Sequence, residues 1–301
     1  MKHPYQLLFE DVLDEALCQE VSDIHVEPTK DGTTIRFRKL GLLQKPYRTL
    51  ALRDRDVFVR NVKQYSGLPL DVCGTPQDGR FSYKSLNLRI NALPTLYGDK
   101  ICLRLLPQNR KFNLESLHFE PEALSALHRV VNLFQGVVLI GGVTGSGKTT
   151  TLYALLHAID RHKYHVMTLE DPVEYELPGI NQVPIQPHLR FSDGLRAMLR
   201  QDPDVIFVGE IRDTETAQLC FQAAATGHLV FSTIHADSPE GIERRLLGLG
   251  VEKELISSYL VFSGVQSLEP VQCPDCSGCA QCHQGVLRQQ PTFIFQEKPH
   301  A

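Results

Sequence analysis

Residues 142–149 read GVTGSGKT and satisfy the pattern G-x-x-x-x-G-K-[ST], directly after the apolar run 136–140 and at the start of a helical pattern. No other feature of the chain restricts its fold as strongly. A glycine-rich strand-to-helix turn of this kind turns successive backbone N–H groups inward, and the helix N-terminus adds a dipole that favours negative charge. The cradle therefore comprises Gly142, Val143, Thr144, Gly145, Ser146, Gly147, Lys148, Thr149 and Thr150. Lys148 reaches for β- and γ-phosphates, and the Thr149 hydroxyl suits Mg2+, so the implied ligands are ATP and Mg2+. The structural alternative is a glycine-rich turn whose lysine is merely solvated.

The surrounding pattern supplies the context such a loop needs. The segments QGVVLIGG, HVMTLED, DVIFVGEI and HLVFSTIHA are short apolar runs separated by helical stretches, which implies a mainly parallel sheet covered by helices. Upstream, an amphipathic helix over residues 6–20 precedes the alternating segments IHVEP, TTIRFRK and LLQKPYRTL. A second helix near residues 53–65 and the strands RFSYKSLNLRINALPTL and KICLRLLP follow. The expected organisation is a small α+β domain over 1–108, a linker over 109–114, a P-loop core over 115–269 and a cysteine-bearing segment over 270–301.

Composition excludes several function classes. Across 301 residues, 42% are apolar and 22% charged, as in a globular protein. The net charge of -4 argues against a broadly basic nucleic-acid surface, so no direct nucleic-acid contact is expected. No run of about 18 apolar residues is present to span a membrane. The acidic residues in MKHPYQLLFEDVLDEAL interrupt what a signal peptide needs to keep apolar, so a cytoplasmic location is expected. Of eight cysteines, Cys18, Cys73, Cys102 and Cys220 stand singly and read as small core residues.

Hydrolysis on the loop requires carboxylates delivered from neighbouring strand ends. Glu210, at the end of DVIFVGE, is the expected water-orienting base, and Glu170, at the end of HVMTLE, its partner near Mg2+. Asp171 and Glu174 can equally cap a turn or pair with arginines. His235 and His228 flank LVFSTI; His235 is a candidate phosphate sensor and His228 a weaker one.

Four ordered blocks, GGVTGSGKTTTLYALL, TLEDPVEYE, LRAMLRQDPDVIFVGEIRDTETA and ATGHLVFSTIHADS, resemble the Walker A, aspartate, Walker B and histidine boxes of the secretion ATPases of type II secretion, type IV pilus and competence systems. SDIHVEP, PQDGR and LRINALPTLYGDKICLRLL extend the resemblance through the first domain. It implies a RecA-like P-loop ATPase domain preceded by a smaller α+β, PAS-like N-terminal domain. It also implies a homo-hexamer, and a motor acting on an inner-membrane platform protein to assemble a pilus-like or secretion apparatus. Arg89 and Arg104 occupy positions whose arginines reach the nucleotide in the family, and Arg196 and Arg200, four apart on one helical face, match further family arginines.

Two departures stand out. Where the family has a QRLVR-like segment, Gln266, Ser267, Leu268, Glu269 and Pro270 stand here, without either arginine. The run CPDCSGCAQC sets Cys273, Cys276, Cys279 and Cys282 as two CxxC pairs with only two residues between them. That spacing can present four thiolates to a structural Zn2+; an iron–sulfur site and an empty cluster are the alternatives. The short ends resemble the competence ATPases of Gram-positive bacteria. The competing readings are a low-turnover nucleotide-binding regulator or scaffold, and a nucleic-acid motor.

Overall fold

The computed structural model describes residues 3–71, 74–84, 86–107, 112–273 and 286–297. They divide into two packed units, one holding residues 3–107 with 273 and 286–287, and the other residues 112–272 and 288–297.

The first unit begins with helix α1 (Pro4–Cys18), whose N1 proline has its φ preset for a helix and lacks an N–H that would have gone unpaired. Strands β1 (Asp23–Thr29), β2 (Gly32–Lys39) and β3 (Leu42–Ala51) follow, then helix α2 (Leu52–Tyr65) and strands β4 (Gln77–Tyr83), β5 (Leu86–Thr95) and β6 (Gly98–Pro107). The six strands form one sheet in the order β3-β2-β1-β6-β5-β4, and all five pairings are antiparallel. Strand alternation puts Ile24, Val26, Ile35, Phe37, Ile90 and Leu103 into a core shared with Phe9, Val12, Leu13, Phe58 and Val62 from the two helices. The register also brings a row of charge into line across five strands, Arg38 beside Asp23, then Arg104, Arg89 and Arg80.

The second unit contains helix α3 (Pro121–Val131), strand β7 (Gly136–Gly141), helix α4 (Lys148–Ala158), strands β8 (Val166–Glu170) and β9 (Asn181–Pro184), helix α5 (Phe191–Met198), strand β10 (Val205–Val208), helix α6 (Thr214–Ala225), strand β11 (Leu229–Ile234), helices α7 (Pro239–Gly248) and α8 (Lys253–Tyr259), and strands β12 (Leu260–Gln272) and β13 (Val286–Glu297). Their sheet runs β13-β12-β7-β11-β10-β8-β9, with parallel pairing from β12 through β9. Every residue of β7, β8, β10 and β11 is buried, as expected of parallel strands covered on both faces. This is the alternating α/β architecture expected for the P-loop domain.

Two local expectations change. The stretch from residue 270, read as a separate cysteine segment, supplies the end of β12 and all of β13. Phe293 and Phe295 of β13 stack on Phe262 of β12 with ring centroids 5.9 and 5.7 Å apart, which ties this stretch to the sheet. Cys18 is exposed at the end of α1 rather than in the core, whereas Cys220 is fully buried; Cys73 lies outside the described residues. Among the described residues no helix is long and apolar enough to cross a membrane.

Candidate active site

The loop between β7 and α4 is shaped by three glycines with positive φ, Gly142 at 136°, Gly145 at 83° and Gly147 at 87°. A Cβ at Gly142 would sit 2.4 Å from the Gln266 carbonyl oxygen and one at Gly147 2.7 Å from Gln266 Nε2, so a side chain at 142 would displace the β12 backbone and one at 147 the Gln266 amide. Lys148 Nζ donates to the Gly142 and Val143 carbonyls, both at 2.8 Å. Burial lowers the lysine below its usual pKa, against the opposing pull of the Glu210 carboxylate. Ser146 Oγ is buried and without a hydrogen-bond partner. Thr149 and Thr150 are half-buried in the first turn of α4, where backbone N–H groups lack intrahelical acceptors. A desolvated ammonium, an orphaned hydroxyl and a free helix N-terminus fit a polyphosphate, with Thr149 available to a hydrated cation beside it.

Parallel pairing places the carboxyl ends of β7, β10 and β11 along the same edge, because Leu139 is level with Ser232 and Ser232 with Val208. Glu210 therefore emerges two residues past β10 and His235 one residue past β11 at the edge that carries the loop, where α/β sheets bind ligands. The Glu210 side chain is 19% exposed, forms an ion pair with Arg212, and lies 3.7 Å from His235 Nε2. The Thr233 hydroxyl, donating to the Gly209 carbonyl at 2.7 Å, and the Ile211 N–H, donating to the Thr233 carbonyl at 2.9 Å, hold the turn that presents the glutamate. Arg212 was not among the sequence candidates, although its place in GEIRD beside Glu210 was visible.

Glu170 has a setting different from the metal-facing one expected. It is 3% exposed, and its carboxylate accepts from Tyr153 Oη, from Thr168 Oγ1 at 2.5 Å and from Gln182 Nε2 at 3.1 Å. Burial raises its pKa above the usual carboxylate value, and those hydrogen bonds oppose the rise. Phe112 and Tyr175 pack edge-on against Tyr153 and seal the group. Such a carboxylate holds neighbouring segments together: Tyr153 is on α4, Gln182 on β9, and the Glu174 N–H points to Tyr153 Oη at 3.4 Å. Asp171 is exposed and Glu174 half-buried, so both carboxylates keep access to solvent next to this lock.

Three further candidates move. His228 precedes β11, and its carbonyl accepts from the Gly136 N–H at 3.1 Å, at the amino end of β7. Its ring Nδ1 lies 2.9 Å from the Ala223 carbonyl, so it caps the end of α6 at the edge opposite the loop. Arg200 does not share a helical face with Arg196: α5 ends at Met198 because Asp202 takes a positive φ and Pro203 follows. Arg196 pairs with Glu215 at 2.7 Å and is partly exposed. In the first unit Arg89 is exposed on β5, and Arg104 Nε donates to the buried Asp23 at 3.0 Å. Ser267, where the family has arginine, meets Thr292 at 2.6 Å. Of the cysteine cluster, Cys273 is half-buried, while Cys276, Cys279 and Cys282 lie outside the described residues; among the described residues no group of three or more metal-ligating side chains occurs.

A family model described as "Type II/IV secretion system protein" matches residues 2–299. The "Putative type II secretion system protein E" of Escherichia coli is 41% identical over 283 residues, covering 91% of this chain and 57% of the relative. The "Type IV pilus assembly ATPase PilB" of Thermus thermophilus is 41% identical over 278 residues, covering 90% of this chain and 31% of that protein. The chain thus spans about half the length, or less, of these relatives. Among solved structures, the "Pilus Retraction Motor PilT" with bound ADP superposes with a TM-score of 0.71 at 25% identity, over 97% of this chain and 83% of that one. The Legionella pneumophila ATPase DotB shares the fold with a TM-score of 0.77 at 23% identity, over 97% and 81%. With a matching model over nearly its full length and the loop, strand-end glutamate and histidine in place, the chain belongs to the type II/IV secretion system protein family.

Proposed function

We propose that this chain is the core of a motor ATPase that couples ATP hydrolysis to assembly of a type II secretion, type IV pilus or DNA-uptake apparatus. The observation that carries the reading is the placement of Lys148 and Glu210 at one sheet edge, close enough that the carboxylate's charge acts on the ammonium. In this scheme the loop N–H groups and Lys148 hold the β- and γ-phosphates, and Thr149 offers its hydroxyl to Mg2+, which supplies charge neutralisation when bound. Glu210 orients water toward the γ-phosphorus and accepts its proton. His235, 3.7 Å from Glu210, reports the γ-phosphate to the end of β11. Glu170 fixes the strand ends instead of touching metal.

The family membership supports a homo-hexamer with Arg89 and Arg104 of the first unit contributing to the nucleotide site, where arginine charge stabilises phosphoryl transfer. We also assign PAS-like character to the first unit on its six-stranded antiparallel sheet and two helices, and propose a cytoplasmic chain working on an inner-membrane platform protein. Cys273, Cys276, Cys279 and Cys282 are proposed as a structural Zn2+ site; metal analysis after anaerobic purification that finds iron without zinc would refute it.

The test of the enzyme reading is Mg2+-dependent phosphate release from ATP by the purified chain and its absence in Lys148→Ala. A second reading, a low-turnover regulator of the same machinery, is favoured by Ser267, which leaves β12 without the family's arginine. Nucleotide binding without turnover in the hexamer would select it.

A further inference from the structure

Gln266 is 3% exposed and belongs to none of the roles assigned above, yet its side chain is bonded at both ends to the phosphate loop and its helix. It lies one residue past Val265, which is level with Gly141, so β12 delivers it beside the first residue of the loop. Its Nε2 donates to the Ser146 carbonyl at 2.7 Å, and its Oε1 accepts from Thr151 Oγ1 at 2.7 Å. The Ser146 carbonyl can only accept, so the amide's NH2 end must face the loop, which leaves Oε1 to accept from Thr151, 1% exposed on α4. The glycines at 142 and 147 provide the room: their absent Cβ atoms would meet the Gln266 backbone oxygen and Nε2.

The consequence follows from peptide geometry. In a planar trans peptide the C=O and the following N–H point in opposite directions. Tying the Ser146 carbonyl to Gln266 therefore turns the Gly147 N–H away from β12, toward the side on which the loop curls. We propose that Gln266 is a positioning residue for this loop: it fixes the Ser146–Gly147 peptide so that the Gly147 N–H faces the nucleotide phosphates, with Thr151 anchoring the amide oxygen. Without this bond the peptide is free to rotate and present a carbonyl where phosphate oxygens must sit. The proposal rests on the nucleotide reading of the loop given above.

The test compares MgADP affinity, by isothermal titration calorimetry, with apo thermal unfolding for the full chain and two variants. Gln266→Met keeps the approximate length and neutrality but neither donates nor accepts as an amide does; it is expected to weaken MgADP about tenfold, and its separate cost to the apo fold, which loses two buried hydrogen bonds, is read from the apo melting temperature. Gln266→Glu keeps the Thr151 contact and sets a carboxylate against the Ser146 carbonyl at neutral pH. Protonation restores an O–H donor, so its affinity relative to the wild type is expected to recover as the pH is lowered from 8 to 5.5. Wild-type affinity in Gln266→Met, or a pH-independent ratio for Gln266→Glu, would overturn the proposal. Loss of MgADP binding by the wild-type chain itself would instead overturn the nucleotide reading, and the proposal with it.

Discussion

Replacing Tyr153 with phenylalanine removes one hydroxyl from a group that cannot reach water. Glu170 Oε1 keeps Thr168 and Gln182, whereas Oε2 loses Tyr153. A hydrogen bond to a charged partner is worth about 1.5–3 kcal/mol, and the Glu174 N–H loses a long acceptor as well, so the expected destabilisation is about 3 kcal/mol. For a unit of this size that lowers the melting temperature by roughly 6–12 °C. The effect has a definite pH sign. Burial already raises the folded-state pKa of Glu170, so its contribution to stability is full below the unfolded carboxylate value and falls as pH rises through the folded one. The Tyr153 hydroxyl opposes that rise, so Tyr153→Phe steepens the loss and costs most at high pH. Urea unfolding of Tyr153→Phe, Glu170→Gln and the double variant at pH 5 and 8 measures the coupling, expected to be about 2 kcal/mol at pH 8. Equal costs of Tyr153→Phe in both backgrounds, independent of pH, would refute the buried lock.

Gly142→Ala places a Cβ 2.4 Å from the Gln266 carbonyl at a φ of 136°, and is expected to destabilise the second unit by at least about 2 kcal/mol and to weaken nucleotide binding, read by thermal unfolding and calorimetry. His228→Ala is expected to retain wild-type MgADP affinity, since the ring caps α6 at the opposite sheet edge; a tenfold loss would return it to the nucleotide site. Both ring nitrogens of His25 are buried without hydrogen-bond partners, and burial depresses its pKa. The stability of the first unit is therefore expected to be complete above the unfolded histidine value of about 6.5 and to fall as pH drops through it, with His25→Leu flattening that slope in urea titrations.

What was legible in the sequence was local. The phosphate loop declares itself because its glycines, lysine and threonine are contiguous and their job is done by the backbone beside them. Glu210 and His235 were legible for a related reason: each follows an apolar strand, and parallel strands end at a common edge. His228 stands at the other end of the same strand, and the direction of the strand alone sets it at the opposite edge of the sheet. Glu170 was misread because its neighbours come from α4, 17 residues back, and β9, 12 residues on, and only their packing makes it a buried lock. Arg200 was lost to a helix end set by Asp202 and Pro203. β13 was missed because the cysteines drew attention from the alternating apolar residues of PTFIFQ, which pack on Phe262. Gln266 carries no local signal, since its role depends on β12 lying beside β7.

The central claim is that Lys148 and Glu210 divide binding and chemistry on one loop. The most direct measurement is ATP binding and single-turnover hydrolysis for the wild type, Lys148→Ala and Glu210→Gln under identical Mg2+ conditions. The account predicts that Lys148→Ala loses ATP affinity, and that Glu210→Gln retains ATP while hydrolysis falls at least about a hundredfold, the scale of a lost general base. Wild-type turnover in Glu210→Gln, or undiminished ATP affinity in Lys148→Ala, would contradict it.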